Sequence, residues 1–146
     1  MLQKDQVTLE KQLGVCLLAL RVGIAVVFMA WALDKVMVPE HTARVFSAFY
    51  NISLPTSVAV GLGIMQVLFI GAFTLGLWKK VTYLAVLVLH TGSTLSAFGN
   101  YLDPFNNLLF FAAWPMLAAC FALYVLRDYD IWVLGKNKLK TQTSVA

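Results

Sequence analysis

Three polar side chains stand deep inside otherwise apolar stretches of this chain: Arg21, Gln66 and His90. A guanidinium near the middle of a bilayer costs at least ~2.5–3.5 kcal/mol on insertion scales, so Arg21 must face protein or water. It supplies a fixed positive charge, while Gln66 and His90 supply hydrogen bonds of either sense. At ~1.5 Å per residue each lies roughly halfway through its apolar stretch, so the three are expected to meet in one layer. Two readings follow. In one, carbonyls, Gln66 and waters neutralise Arg21 and the layer only fixes helix packing. In the other, the layer lines a cavity for a quinone-like head group, an anion or a proton carrier. No Asp or Glu lies within an apolar stretch to neutralise Arg21, which favours the second.

Two further residues join this set. Tyr83, His90, Thr94, Ala97 and Tyr101 fall within about 40° of one line at the helical period, making a polar stripe. Lys35 lies on nearly the same face as Arg21, about 21 Å toward the outside. The candidate ligand-binding residues are therefore Arg21, Gln66, His90, Thr94 and Lys35. No catalytic or metal-ligating set is expected. A bundle haem needs two axial ligands at matched depth, and His41 is far from His90 in sequence. Metal centres lack ligands in the same way. No phosphate loop, Ser-His-Asp set or paired carboxylate is visible.

Positioning these groups requires helices in a membrane. The chain has 146 residues, 60% of them hydrophobic, and a mean hydropathy of +0.78. Soluble domains are typically ~45–50% apolar. A span needs ~20 mostly apolar residues, and four stretches qualify: 13–33, 56–78, 81–97 and 108–126. They predict an all-α, integral membrane four-helix bundle forming one domain over 1–146, with a polar tail at 127–146. Lys4, Lys11 and Ala30-Trp31-Ala32 imitate a signal peptide, but the apolar run is longer than ~7–15 residues and contains Arg21. It is read as a retained helix.

Charge sets the expected topology. The net charge of +4 comes from 11 basic and 7 acidic residues. Eight basic residues (Lys4, Lys11, Lys79, Lys80, Arg127, Lys136, Lys138 and Lys140) fall on one side and Lys35 and Arg44 on the other, with Arg21 between. Positive residues stay cytoplasmic, which predicts both termini inside. Trp31, Trp78, Tyr83, Tyr101 and Trp132 suit an interfacial aromatic belt. The excess charge is topological and does not indicate nucleic-acid binding.

Within the outer loop 36–55, Val45, Phe46 and Phe49 share a face, predicting a short amphipathic helix at the interface. Ser53 and Pro55 suit the start of the next helix. Small residues at i, i+4 (Ala19/Gly23, Ala59/Gly63, Ala72/Gly76, Gly92/Ser96) predict close helix packing. Pro115 is expected to bend the last helix, because it cannot donate to the carbonyl of Phe111. Asp103-Pro104 should begin that helix or lead into it. Beyond Arg127 the chain should leave the bilayer, with 131–134 resting at the interface. Cys16 and Cys120 read as small buried hydrophobes, since closely spaced thiol pairs are missing.

From Arg21 to about Asp130 the chain resembles the DoxX-like family of small four-helix membrane proteins. The run begins with Leu20-Arg21-Val22-Gly23 and reaches Asp34-Lys35. It passes Phe46, Phe49 and Leu54-Pro55 to the Gly-rich second helix ending Gly76-Leu77-Trp78-Lys79. Where many relatives have a Glu in helix two, this chain has Gln66, which cannot take up a proton in the usual range. The resemblance implies a bacterial inner-membrane, multi-pass protein associated with redox enzymes. The leading expectation is thus a non-catalytic subunit or anchor of a quinone-linked complex. Membrane lipid and other redox subunits would be its partners, a quinone its candidate cofactor. An assembly factor or structural accessory subunit, and a small carrier or channel, are the alternatives.

Overall fold

The structure, a computed structural model, describes residues 2–134. The tail lysines Lys136, Lys138 and Lys140 lie outside the described residues. Helices account for nearly all of what is described, and no strand occurs among those residues. Helix α1 runs Leu2–Met37, α2 Pro39–Tyr50, α3 Thr56–Thr74, α4 Lys79–Ser96, α5 Phe98–Tyr101 and α6 Ala113–Val125. Tight 3-10 turns over Leu108–Ala112 and Arg127–Tyr129 flank α6. Among the described residues, three helical segments are long and apolar enough to cross a membrane: Gln6–Met37, Thr56–Thr74 and Leu108–Val125. By length and composition these are the helices of a membrane protein. Helix α4 is not among the three; it opens with Lys79-Lys80 and carries His90, Thr91, Ser93, Thr94 and Ser96.

Helix α1 is longer at both ends than the apolar run suggested. It stops where proline forces it to stop. The residue before a proline is driven out of the α region, and Val38 has φ −136° and ψ 64°. Pro39 then occupies the first turn of α2, where its missing N–H costs nothing. Helix α2 ends on Asn51 in the left-handed region (φ 54°), and the Ile52 N–H donates to the Phe46 carbonyl. Such a cap satisfies carbonyls that the helix leaves unpaired. The next helix begins at Thr56 on the Pro55 carbonyl, which accepts from Ala59 at 3.1 Å; Ser53 makes no capping bond.

The largest helix interfaces are α1 with α3 and α4 with α6. Small residues explain the first. Ala32 and Ala59 are fully buried, and a Cβ on Gly63 would meet Lys35 Cβ at 2.8 Å and the Ala32 carbonyl at 3.0 Å. Of the four expected small-residue pairs, Ala59/Gly63 is the one that seats a neighbouring helix. A Cβ on Gly23 or Gly92 would meet nothing within 4 Å. Gly76 lies past the end of α3 in the turn to α4, at φ +69°. The buried face of α4 is the predicted stripe: Tyr83, His90 and Thr94 are each at most 2% exposed, with Val86 among them.

Pro115 does not kink a long helix. The 3-10 turn Leu108–Ala112 precedes it, and α6 starts at Ala113, so proline sits in the first turn, where it is tolerated. Asp103-Pro104 forms a lead-in turn, with Asn107 N–H donating to the Pro104 carbonyl at 3.2 Å. Residues 130–134 fold back as a strap across the α3–α4 turn, with Asp130 buried and Trp132 and Leu134 exposed. The Leu134 N–H donates to the Leu75 carbonyl at 2.9 Å, and Ile131 packs on Gly14 of α1.

Candidate functional site

Arg21 has a carboxylate partner after all. Its Nη1 donates to Asp130 Oδ2 at 2.8 Å and to Tyr83 Oη at 3.1 Å, and its Nη2 donates to the Trp132 carbonyl. Tyr83 Oη donates in turn to Asp130 Oδ2 at 2.6 Å. Lys79 Nζ donates to the Asp130 carbonyl at 3.0 Å. Arg21 is 2% exposed and Asp130 fully buried. A buried ion is tolerable only when paired and hydrogen-bonded, and the strap supplies that partner from 109 residues away. Arg21 Nε and Asp130 Oδ1 are the two atoms of the pair left without partners. Gly76 makes the approach feasible, because a Cβ there would lie 2.6 Å from Arg21 Nη1 and collide with Val133. This cluster sits beside Lys79, at the end of the bundle we call the lysine end.

His90 belongs to a different layer. Its ring stacks on Trp31 (centroids 6.1 Å apart, planes 26°) and meets Phe28 edge-on at 6.1 Å. Its Nε2–H donates to the Ala113 carbonyl at 3.0 Å, tying α4 to the first turn of α6. The Nδ1 atom is buried without a partner. Gln66 also reaches Phe28, donating from Nε2 to its carbonyl at 3.2 Å. Phe28 is seven residues beyond Arg21 on α1, about 10 Å along the axis. The expected single layer is thus two layers, with Gln66 and His90 around Phe28 and Arg21 apart from both. Thr94 Oγ1 bonds back to the His90 carbonyl at 2.8 Å, and Lys35 Nζ donates to the Trp31 carbonyl at 3.2 Å. Both are local helix bonds.

A cavity of about 740 Å³ opens beside His90. Gly23, Val27 and Trp31 of α1 form one wall, and His90, Ser93 and Met116 of α4 and α6 the other; Val45, Phe49 and Tyr50 of α2 cover one end. The wall is mostly apolar, in the size range of pockets that enclose small lipophilic ligands, ~300–1,000 Å³. Of the five residues proposed from sequence, His90 is the one that lines it. Tyr101, at the α2 end, lines it too, and its hydroxyl is likewise buried and unpartnered. Tyr50 Oη donates to Ser96 Oγ at 3.2 Å, fastening α2 over the opening. The amphipathic helix expected at 36–55 therefore exists, and part of its apolar face closes the cavity.

Two groups of residues escaped the sequence reading. Asp130 was placed outside the bilayer, although the apolar run Ile131-Trp132-Val133-Leu134 behind it signalled burial. Tyr101 falls in the predicted polar stripe and aromatic belt, but it is not among the candidate ligand-binding residues. Among the described residues, no cluster of three or more His, Cys, Asp or Glu side chains could hold a metal. Comparisons of the chain with family models, with curated proteins and with solved structures find no match.

Proposed function

We propose that this protein is a non-catalytic inner-membrane subunit or anchor of a quinone-linked redox complex, and that a ring-headed lipophile of the quinone class occupies the cavity between α1, α4 and α6. The observation that carries this reading is a mostly apolar cavity of about 740 Å³ whose lining includes the aromatic rings of Trp31, His90 and Tyr101. Ligand pockets are lined mainly by apolar and aromatic side chains with a few polar groups among them, and this lining suits a guest with a flat ring and an apolar tail. The redox association rests on the resemblance of the stretch from Arg21 to about Asp130 to the DoxX-like family. In this reading α4 is a fourth span, kept in lipid by turning its polar stripe inward. The lysine end is cytoplasmic, as the eight-to-two distribution of basic residues favours.

The test is extraction of the protein in mild detergent, followed by mass spectrometry of its organic extract and identification of co-purifying polypeptides. An isoprenoid quinone enriched over bulk lipid, beside a redox-active subunit, is the expected result. Gly23→Leu, which fills the cavity where a Cβ has no neighbour, should lose the quinone by at least tenfold while the fold survives. An extract that matches bulk lipid, or that Gly23→Leu leaves unchanged, would reject the quinone reading and leave a structural accessory role.

A further inference from the structure

We propose that the cavity holds its guest in one orientation, with a neutral polar head at the α2 end and an apolar tail running toward the middle of the bundle and out into lipid past Ala19 and Gly23. This deepens the reading above and rests on it. The two ends of the cavity differ in kind. On α1, Trp31 is twelve residues beyond Ala19, so the lining extends about 18 Å along the axis. From Ala19 to Val27 on α1 and from Met116 to Ala119 on α6, every lining side chain is apolar. The lining residues that carry hydroxyls, Tyr50, Ser93, Ser96 and Tyr101, all stand at the α2 end. Of these, Tyr50 and Ser93 are exposed, so that end is open to water.

Orientation follows from the cost of misplacing each part of the guest. A polar ring substituent buried among apolar side chains without a hydrogen bond is disfavoured. The inverted pose would place the head among such side chains and the tail at the wetter end. No Lys, Arg, Asp or Glu lines the cavity, so a charged head would find no counter-ion in either pose and a neutral one suits it. A volume of about 740 Å³ takes a ring and the start of a chain. The remainder of a long tail needs an exit, and the apolar end supplies one. Ala19 and Gly23 line the cavity and are also exposed, and a Cβ on Gly23 would meet nothing within 4 Å. In this pose the oxygens of the ring lie at the end of the bundle opposite the lysine end.

The experiment is photo-crosslinking of the full-length protein in nanodiscs with two decyl-chain benzoquinones, one carrying an azide on the ring and the other a diazirine at the chain terminus. Labelled residues are mapped by mass spectrometry, with and without an excess of the plain decyl benzoquinone. The ring probe should label around Tyr50, Ser93 and Tyr101 about tenfold more than around Ala19, Gly23 and Met116, because an unpaired buried polar group disfavours the inverted pose by about that factor. The chain-end probe should show the opposite bias. Cavity labelling that excess quinone abolishes, but that is even, swapped or alike for both probes, overturns the orientation and leaves the quinone-class reading standing. Labelling that excess quinone does not reduce, or none within the cavity, overturns both.

Discussion

The two polar centres of this bundle solve the same problem in opposite ways. At the lysine end, Arg21 is enclosed by Asp130, Tyr83 and the Trp132 carbonyl, and the strap fills the space around it. Two turns away, His90 is half-satisfied and borders an open cavity. A charge cannot be left waiting in a low dielectric, because its desolvation costs several kcal/mol unless a counter-charge is in place. A neutral ring nitrogen can wait, because its penalty is nearer ~1–3 kcal/mol. The group that looked most functional in the sequence is thus the one the fold consumes. The milder group is the one left half-satisfied.

That contrast is open to direct attack at three strengths. The strongest is Asp130→Asn or Arg21→Ala, each of which strands one ion of a buried pair. Either should cost about 3–5 kcal/mol in reversible unfolding, while the double replacement Arg21→Met with Asp130→Leu should recover most of it. If Arg21→Ala instead leaves stability intact and removes quinone binding, the lysine end is a ligand site and the contrast is broken. Next is Gly76→Ala. Its left-handed backbone and the crowding by Val133 and Arg21 should cost about 1–3 kcal/mol, read as a lower thermal midpoint. A neutral outcome would mean that the strap does not sit against the turn. The weakest is Gln66→Leu. Loss of its bond to Phe28 should cost about 0.6 kcal/mol and leave quinone affinity unchanged. A tenfold loss of affinity would draw Gln66 into the cavity wall and sharpen the boundary between the two centres.

Most helices were legible because their signals are local. Long apolar runs and the Lys79-Lys80 turn place the principal helices, although α1 begins at Leu2 rather than 13, and the small pair Ala59/Gly63 marks where α1 and α3 touch. Depth proved less legible than identity. Counting residues put Arg21, Gln66 and His90 at mid-span, but α1 extends well beyond its apolar core at both ends, so a midpoint in sequence is not a shared height. The pairing of Arg21 with Asp130 depends on a chain reversal after α6, which no periodicity announces. The cavity was hidden for a related reason. Gly23 carries the same spacing signature as Gly63, and only the position of α6 decides that one glycine packs and the other faces a void.

The ion pair between Arg21 and Asp130 also imposes a timetable on biosynthesis. A ribosome adding ~5–20 residues per second needs about 5–20 s to span the 109 positions separating them. Throughout that interval the first helix must hold an uncompensated cation, lodged at the water boundary or sheltered by the insertion machinery. Only when the strap has been made can Arg21 gain its counter-ion, so the ion pair closes late in synthesis.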